Sequence, residues 1–126
     1  MTREADHLLA RALKAVNTAR AIAHADPDAG ASRSYYAAFY AISAWLANQG
    51  QSYSKHSSVE SAVHRDLVKP GIVSKELGEH YSWLFALRNT GDYGGKFHVA
   101  EDEAVLAVER ATKIVETVSG LLMLKS

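Results

Sequence analysis

Apolar residues recur every three or four positions along most of this chain, and that spacing predicts helices. Leu9, Leu13, Val16, Ala19 and Ala23 make one stripe, while Arg3, Arg11, Lys14 and Arg20 stay mostly off it. Thr2 fits the N-cap of this first helix. The pattern carries it to about Ala25, within reach of the breaker Asp26-Pro27-Asp28-Ala29-Gly30. A second helix is predicted from about Asp28 to Asn48, with Gly50 ending it. Tyr35, Ala38, Phe39, Ile42, Trp45 and Leu46 form its wide apolar face. Arg33, Tyr36, Ala37 and Tyr40 form a second, more polar one.

Ser57 or Ser58 reads as the cap of a short third helix to about Val68. Val59, Val63 and Leu67 fall four apart there, and Lys69-Pro70-Gly71 stops it. Ser74 caps a fourth helix in which Leu77, Tyr81, Leu84 and Arg88 share a side; it weakens at Gly91 and ends by Gly94-Gly95. A final helix is predicted from Glu101 to about Leu122, its seam being Ala104, Val108, Ala111, Val115, Val118 and Leu122. Three acidic residues open that helix, where its dipole favours them. No segment alternates as a strand does. The expectation is an all-α fold, an up-and-down bundle of about five helices, forming a single domain over residues 1–126.

Composition narrows the function classes. The chain contains no cysteine, which removes disulfide frameworks, thiolate chemistry and Cys-based zinc sites and fits a reducing compartment. No apolar run approaches the roughly 18 residues that span a bilayer, so no membrane partner is expected and the cytoplasm is the expected location. Fourteen Lys and Arg balance fourteen Asp and Glu. A domain that grips long duplex DNA through its overall field is markedly basic, and this one is not. A local cluster of Arg and Tyr can still hold a short RNA.

Three constellations could carry chemistry. Arg88 and Asp92 stand one helical turn apart, with Asn89 and Tyr93 beside them. An Arg with amide, carboxylate and phenol partners at a loosened helix end can orient a phosphate through its bidentate fork. The same spacing also fits a helix-end ion pair with a tyrosine packed over it. Arg33, Tyr36 and Tyr40 combine charge with stacking area, as single-stranded RNA sites do, although such a face equally suits packing against another helix. His56, Glu60 and His64 fall four apart, a spacing that metal ligands use, but they lack the close His-Glu-x-x-His register and read as a solvated face. No metal and no cofactor are therefore expected. Gly91, Gly94 and Gly95 follow no strand and precede no Gly-Lys-Ser/Thr, so they are not a phosphate-cradling loop.

Taken together, these residues resemble the HEPN family of small helical domains. Arg33-Ser34-Tyr35-Tyr36-Ala37-Ala38-Phe39-Tyr40-Ala41 looks like the family's second-helix signature, Arg-x-Tyr-Tyr-Ala-x-Phe-x-Ala. Lys55-His56-Ser57-Ser58-Val59, followed by His64-Arg65-Asp66-Leu67-Val68-Lys69, looks like its middle segment. Leu84-Phe85-Ala86-Leu87-Arg88-Asn89-Thr90-Gly91-Asp92-Tyr93 looks like the Arg-x-x-x-Asp-Tyr motif of one subfamily, often encoded beside small nucleotidyltransferases.

The resemblance implies a helical homodimer with the Arg motif near its interface, and a small nucleotidyltransferase as partner. It marks Arg88, Asn89, Asp92 and Tyr93 as the candidate catalytic set, with Arg33, Tyr36, Tyr40 and His56 as candidate binding residues. Many HEPN domains are metal-independent endoribonucleases or toxins whose motif is an Arg, often a polar residue, and then a His after four to six intervening positions. Here those positions hold Tyr93, Gly94 and Gly95, and His98 lies ten beyond Arg88. The general acid/base is thus missing from its slot, and Tyr93, with an ordinary pKa near 10, is a poor substitute. Three readings follow: an RNA- or nucleotide-binding module of a toxin–antitoxin-like pair, a ribonuclease toxin using Arg88, and a purely structural helical dimer.

Overall fold

Thr2 opens the first helix: its hydroxyl accepts the Ala5 amide at 3.1 Å, and α1 runs from Arg3 to Ile22. Asp26 does the same for α2, accepting from the Ala29 amide at 3.2 Å, and Pro27 stands at the first helical position. Helix α2 spans Pro27–Asn48, one residue longer at its start than the spacing predicts, because the fixed φ of proline suits a first turn. The computed structural model describes residues 1–124, and those residues form five helices without a strand. No helix among them is long and apolar enough to cross a membrane.

Helix α3 begins at His56, ahead of the two serines expected to cap it. Lys55 takes the cap position without a side-chain bond, and its carbonyl accepts the Ser58 and Val59 amides at 3.1 and 3.2 Å. The helix covers His56–Ala62 and widens into a π-helical stretch, Val63–Val68, closed by the Lys69 amide bonding back to the His64 carbonyl. Val59, Val63 and Leu67 are all buried, and a spacing of four keeps them on one face through the wider turns.

Helix α4 covers Lys75–Tyr93 and starts on Ser74, whose hydroxyl accepts the Leu77 amide at 3.1 Å. Leu77, Tyr81, Leu84 and Arg88 are buried along one side, as their spacing predicts. The helix does not weaken at Gly91. A Cβ there would stand 2.8 Å from the Asp28 carbonyl oxygen, so glycine is required by the close approach of α4 to the start of α2. Helix α5, Glu101–Leu124, buries the predicted seam and adds Ala107 and Ile114 to it.

Helix α2 is the centre of the bundle, touching each of the other four helices. Its extensive contact with α1 corrects two expectations. Leu13 is 49% exposed, while Ala5, Ala12, Ala15 and Ala19 face the core. Ala37, assigned to the polar face of α2, is fully buried. Both follow from small residues on the two helices, which let the backbones come close and draw alanines rather than larger side chains into the contact. A Cβ on Gly30 would sit 2.8 Å from the Ala23 Cα, so the closeness extends to the start of α2.

Candidate functional site

The periodicity that buries Leu77, Tyr81 and Leu84 also buries Arg88, which is only 7% exposed. A guanidinium kept inside needs hydrogen-bonding and charged partners there. Its NH2 nitrogen donates to the Tyr36 hydroxyl of α2 at 2.8 Å and to the Tyr93 hydroxyl at 3.4 Å, and NH1 donates to Asn89 Oδ1 at 3.2 Å. Asp92 Oδ2 lies 3.0 Å from Nε, but the Nε–H is not aligned on it, so this contact is a charge pair rather than a hydrogen bond. Ser32 of α2 holds the same carboxylate oxygen at 3.2 Å. Burial works against the Arg88 charge, and the Tyr36, Tyr93 and Asp92 oxygens outweigh it, so the pKa rises and the group stays cationic.

Aromatic rings wall this cation. Its guanidinium carbon is 5.1 to 5.6 Å from the ring centres of Tyr35, Tyr36 and Tyr93, and Arg33 lies 4.8 Å from Tyr36. His56, at the start of α3, sits against the rings of Phe39, Tyr35 and Tyr36. Its Nδ1 and the Tyr35 hydroxyl are 2.8 Å apart. Burial first, and then the Arg88 charge, hold the His56 pKa below the ordinary histidine value. Burial pushes the Tyr35 phenol up to about 12, so Tyr35 keeps its proton at neutral pH.

A HEPN domain model matches residues 5–121. The chain belongs to the HEPN family. A UPF0332 protein of Thermotoga maritima is 41% identical over 90 residues, 71% of this chain and 68% of that protein. Another, from Gloeobacter violaceus, is 31% identical over 118 residues, covering 92% of this chain and 94% of its own. A Methanocaldococcus jannaschii protein whose name marks it as a candidate toxin is 27% identical over 103 residues, 81% of this chain and 70% of its own.

Within this HEPN bundle the sequence-predicted residues meet unequally. Arg88, Asn89, Asp92, Tyr93, Tyr36 and His56 surround one point, and Arg33 joins them across the Tyr36 ring. Tyr40 lies further along α2, its ring 5.9 Å from Tyr36 and over Arg11 rather than Arg88. His64 bonds Ser82 at 2.8 Å, and among the described residues no three His, Asp or Glu gather closely enough to hold a metal ion. His98 is drawn to the start of α2, its Nδ1 2.7 Å from Asp28 Oδ2, while Asp28 Oδ1 accepts the Val99 amide at 2.7 Å. Those two bonds, the amide first, hold the Asp28 carboxyl below its usual range.

Sequence reasoning missed Tyr35 and Ser32 as members of this HEPN site. The spacing places Tyr35 on the apolar face, and its ring is buried there, stacked 5.2 Å from Phe85, while its hydroxyl reaches His56. The available signal was the adjacent pair Tyr35-Tyr36, which places one phenol on each side of the same helix edge.

Proposed function

We propose that this HEPN domain binds the phosphate of an RNA or a nucleotide at Arg88, as a homodimeric component of a toxin–antitoxin-like pair with a small nucleotidyltransferase. The observation that carries this reading is the way Arg88 is held. It is a permanent cation, nearly buried, oriented by Tyr36, and covered on its outer side by a long bond to Tyr93, which is 71% exposed. A phosphate oxygen that displaces the Tyr93 hydroxyl gains a charged, pre-oriented donor with aromatic walls for a base. The relative named as a candidate toxin supports the toxin side of the pair. Tyr93, exposed at the site, and Phe97, exposed four positions further along the chain, offer a partner apolar surface.

The test is affinity capture of the tagged protein, co-expressed with its neighbouring genes, beside Arg88→Ala. Recovery of RNA or nucleotide with the wild type and its loss in the variant is the expected result. Recovery of neither ligand nor any nucleotidyltransferase overturns the reading.

A second reading, metal-independent ribonuclease, is favoured by one observation. His56 and Arg88 rest on the same two tyrosine rings, and His56 is kept neutral at neutral pH, so an imidazole stands in the field of the cation although the expected slot is empty. RNA cleavage without metal, lost in both Arg88→Ala and His56→Gln, would establish it. RNA left uncut by the wild type would end it.

A further inference from the structure

Beyond the Arg88 site, α1 and α2 enclose a shallow cleft of about 350 Å³ lined by Arg11, Lys14, Ala15, Thr18, Arg33 and Tyr40. Three of these six side chains are cations, and none is an acid. On α1, Arg11, Lys14, Ala15 and Thr18 follow at steps of three, one and three, which places them on one helix face. Arg11 lies over the Tyr40 ring at 5.9 Å and Arg33 over the Tyr36 ring at 4.8 Å. None of the three cations forms an ion pair with a carboxylate among the described residues. In a chain whose charges sum to zero, three unpaired cations facing one cleft form a local positive field that an anion would neutralise.

The cleft adjoins the site already described through Arg33. Arg33 lines it and also covers Tyr36, the residue that orients Arg88. Tyr36 and Tyr40 stand one turn apart with ring centres 5.9 Å from each other, so they form a two-step aromatic shelf from one site to the other. The geometry points to a track for single-stranded RNA: one phosphate at Arg88, the next nucleotides across Tyr36 and Tyr40, and further phosphates at Arg33, Arg11 and Lys14. This inference rests on the reading of Arg88 as a phosphate site and adds that its ligand is an oligonucleotide rather than a free nucleotide. Cations along a backbone with interleaved aromatic platforms are what single strands require.

Fluorescence anisotropy with a labelled ten-nucleotide oligo-U RNA, a 5′-phosphorylated U dinucleotide and a ten-base-pair RNA duplex tests it. Arg11→Glu/Lys14→Glu reverses two exposed charges. We expect it to weaken the ten-mer about tenfold or more and to lower the salt slope by about 1.4, at about 0.7 per phosphate contact on a single strand. The dinucleotide should lose less than the ten-mer, and the duplex should bind the wild type more weakly than the ten-mer. An unchanged ten-mer affinity and salt slope in the double variant overturns the track while leaving the Arg88 reading standing. So does a variant that changes only self-association or capture of a protein partner. A wild type that binds none of the three RNAs overturns both, and equal losses for ten-mer and dinucleotide overturn the extended track alone.

Discussion

Arg88 on α4 donates to the hydroxyl of Tyr36 on α2 at 2.8 Å, joining two residues 52 positions apart in the chain. The bond connects the core of the bundle to its candidate site, because the same α4 face that buries Leu84 presents Arg88 to α2. Hydrogen bonds to a charged group contribute about 1.5–3 kcal/mol. Tyr36→Phe keeps the ring and its contact with Arg33 while removing that acceptor. It should lower stability in urea unfolding by about 1–2 kcal/mol. Phosphate binding should weaken less than in Arg88→Ala, which deletes the cation itself. Equal effects of the two variants on binding would show that Tyr36 does more than orient Arg88.

Asp92 opposes the ligand it is placed beside. Its carboxylate, 3.0 Å from Nε, already offsets the Arg88 charge, and it lies at the C-terminal end of α4, where the dipole disfavours an acid. Asp92→Asn should therefore raise the affinity for inorganic phosphate or a nucleotide severalfold. It should cost no more than about 1 kcal/mol of stability, since Asp92 is partly solvated and Asn retains a hydrogen-bonding oxygen for Ser32. Isothermal titration beside urea unfolding measures both. A loss of affinity would instead show that the carboxylate holds the Arg88 fork in its binding geometry.

Gly91 separates two opposing rules. Exchanging a glycine inside a helix for alanine ordinarily stabilises it by about 1 kcal/mol. Here the new Cβ would meet the Asp28 carbonyl at 2.8 Å, and that oxygen belongs to backbone that cannot swing aside as a side chain can. Overpacking of this kind costs about 1–3 kcal/mol, so Gly91→Ala should be net destabilising by thermal or urea unfolding. Because Asp28 also fastens Val99 and His98, amide exchange at Val99 should quicken in the same variant.

The helices were legible where burial follows the chain's own period. Leu77, Tyr81, Leu84 and Arg88 are one turn apart and all face inward. Leu13 was not, because its place depends on what α2 presents: a neighbour lined with alanines draws in Ala12 and Ala15 and leaves Leu13 outside. The site divides the same way. Contacts of Arg88 with Asn89, Asp92 and Tyr93 lie within one and a half turns of a single helix and can be read from spacing. The Tyr35–His56 bond joins α2 to α3, and neither helix's periodicity encodes how they cross. His56 was further obscured by Ser57 and Ser58, which have the residue type of a cap but stand inside the helix.

The Tyr35–His56 pair sets opposite pH limits on the fold. His56 titrates below its ordinary 6.5 when folded, so between that lowered value and 6.5 the unfolded chain binds the proton more readily. Its contribution is complete above about 6.5 and is lost as pH falls toward the folded value. Tyr35 titrates at about 12 when folded against 10.0 ordinarily, so the unfolded chain gives up the proton first. That contribution is complete below 10 and is lost as pH rises toward 12. Urea midpoints should therefore fall on both sides of a plateau. His56→Gln should flatten the acid side, and Tyr35→Phe should shrink the alkaline loss without removing it, because burial also pushes the Tyr81 phenol well up; each variant loses some stability at neutral pH with the shared hydrogen bond. The acid limb carries a functional reading as well. Where His56 gains a proton it places a second positive charge beside Arg88, so phosphate affinity should rise as the fold weakens. An affinity that is flat across that limb in the wild type, or that still rises in His56→Gln, would detach His56 from the site.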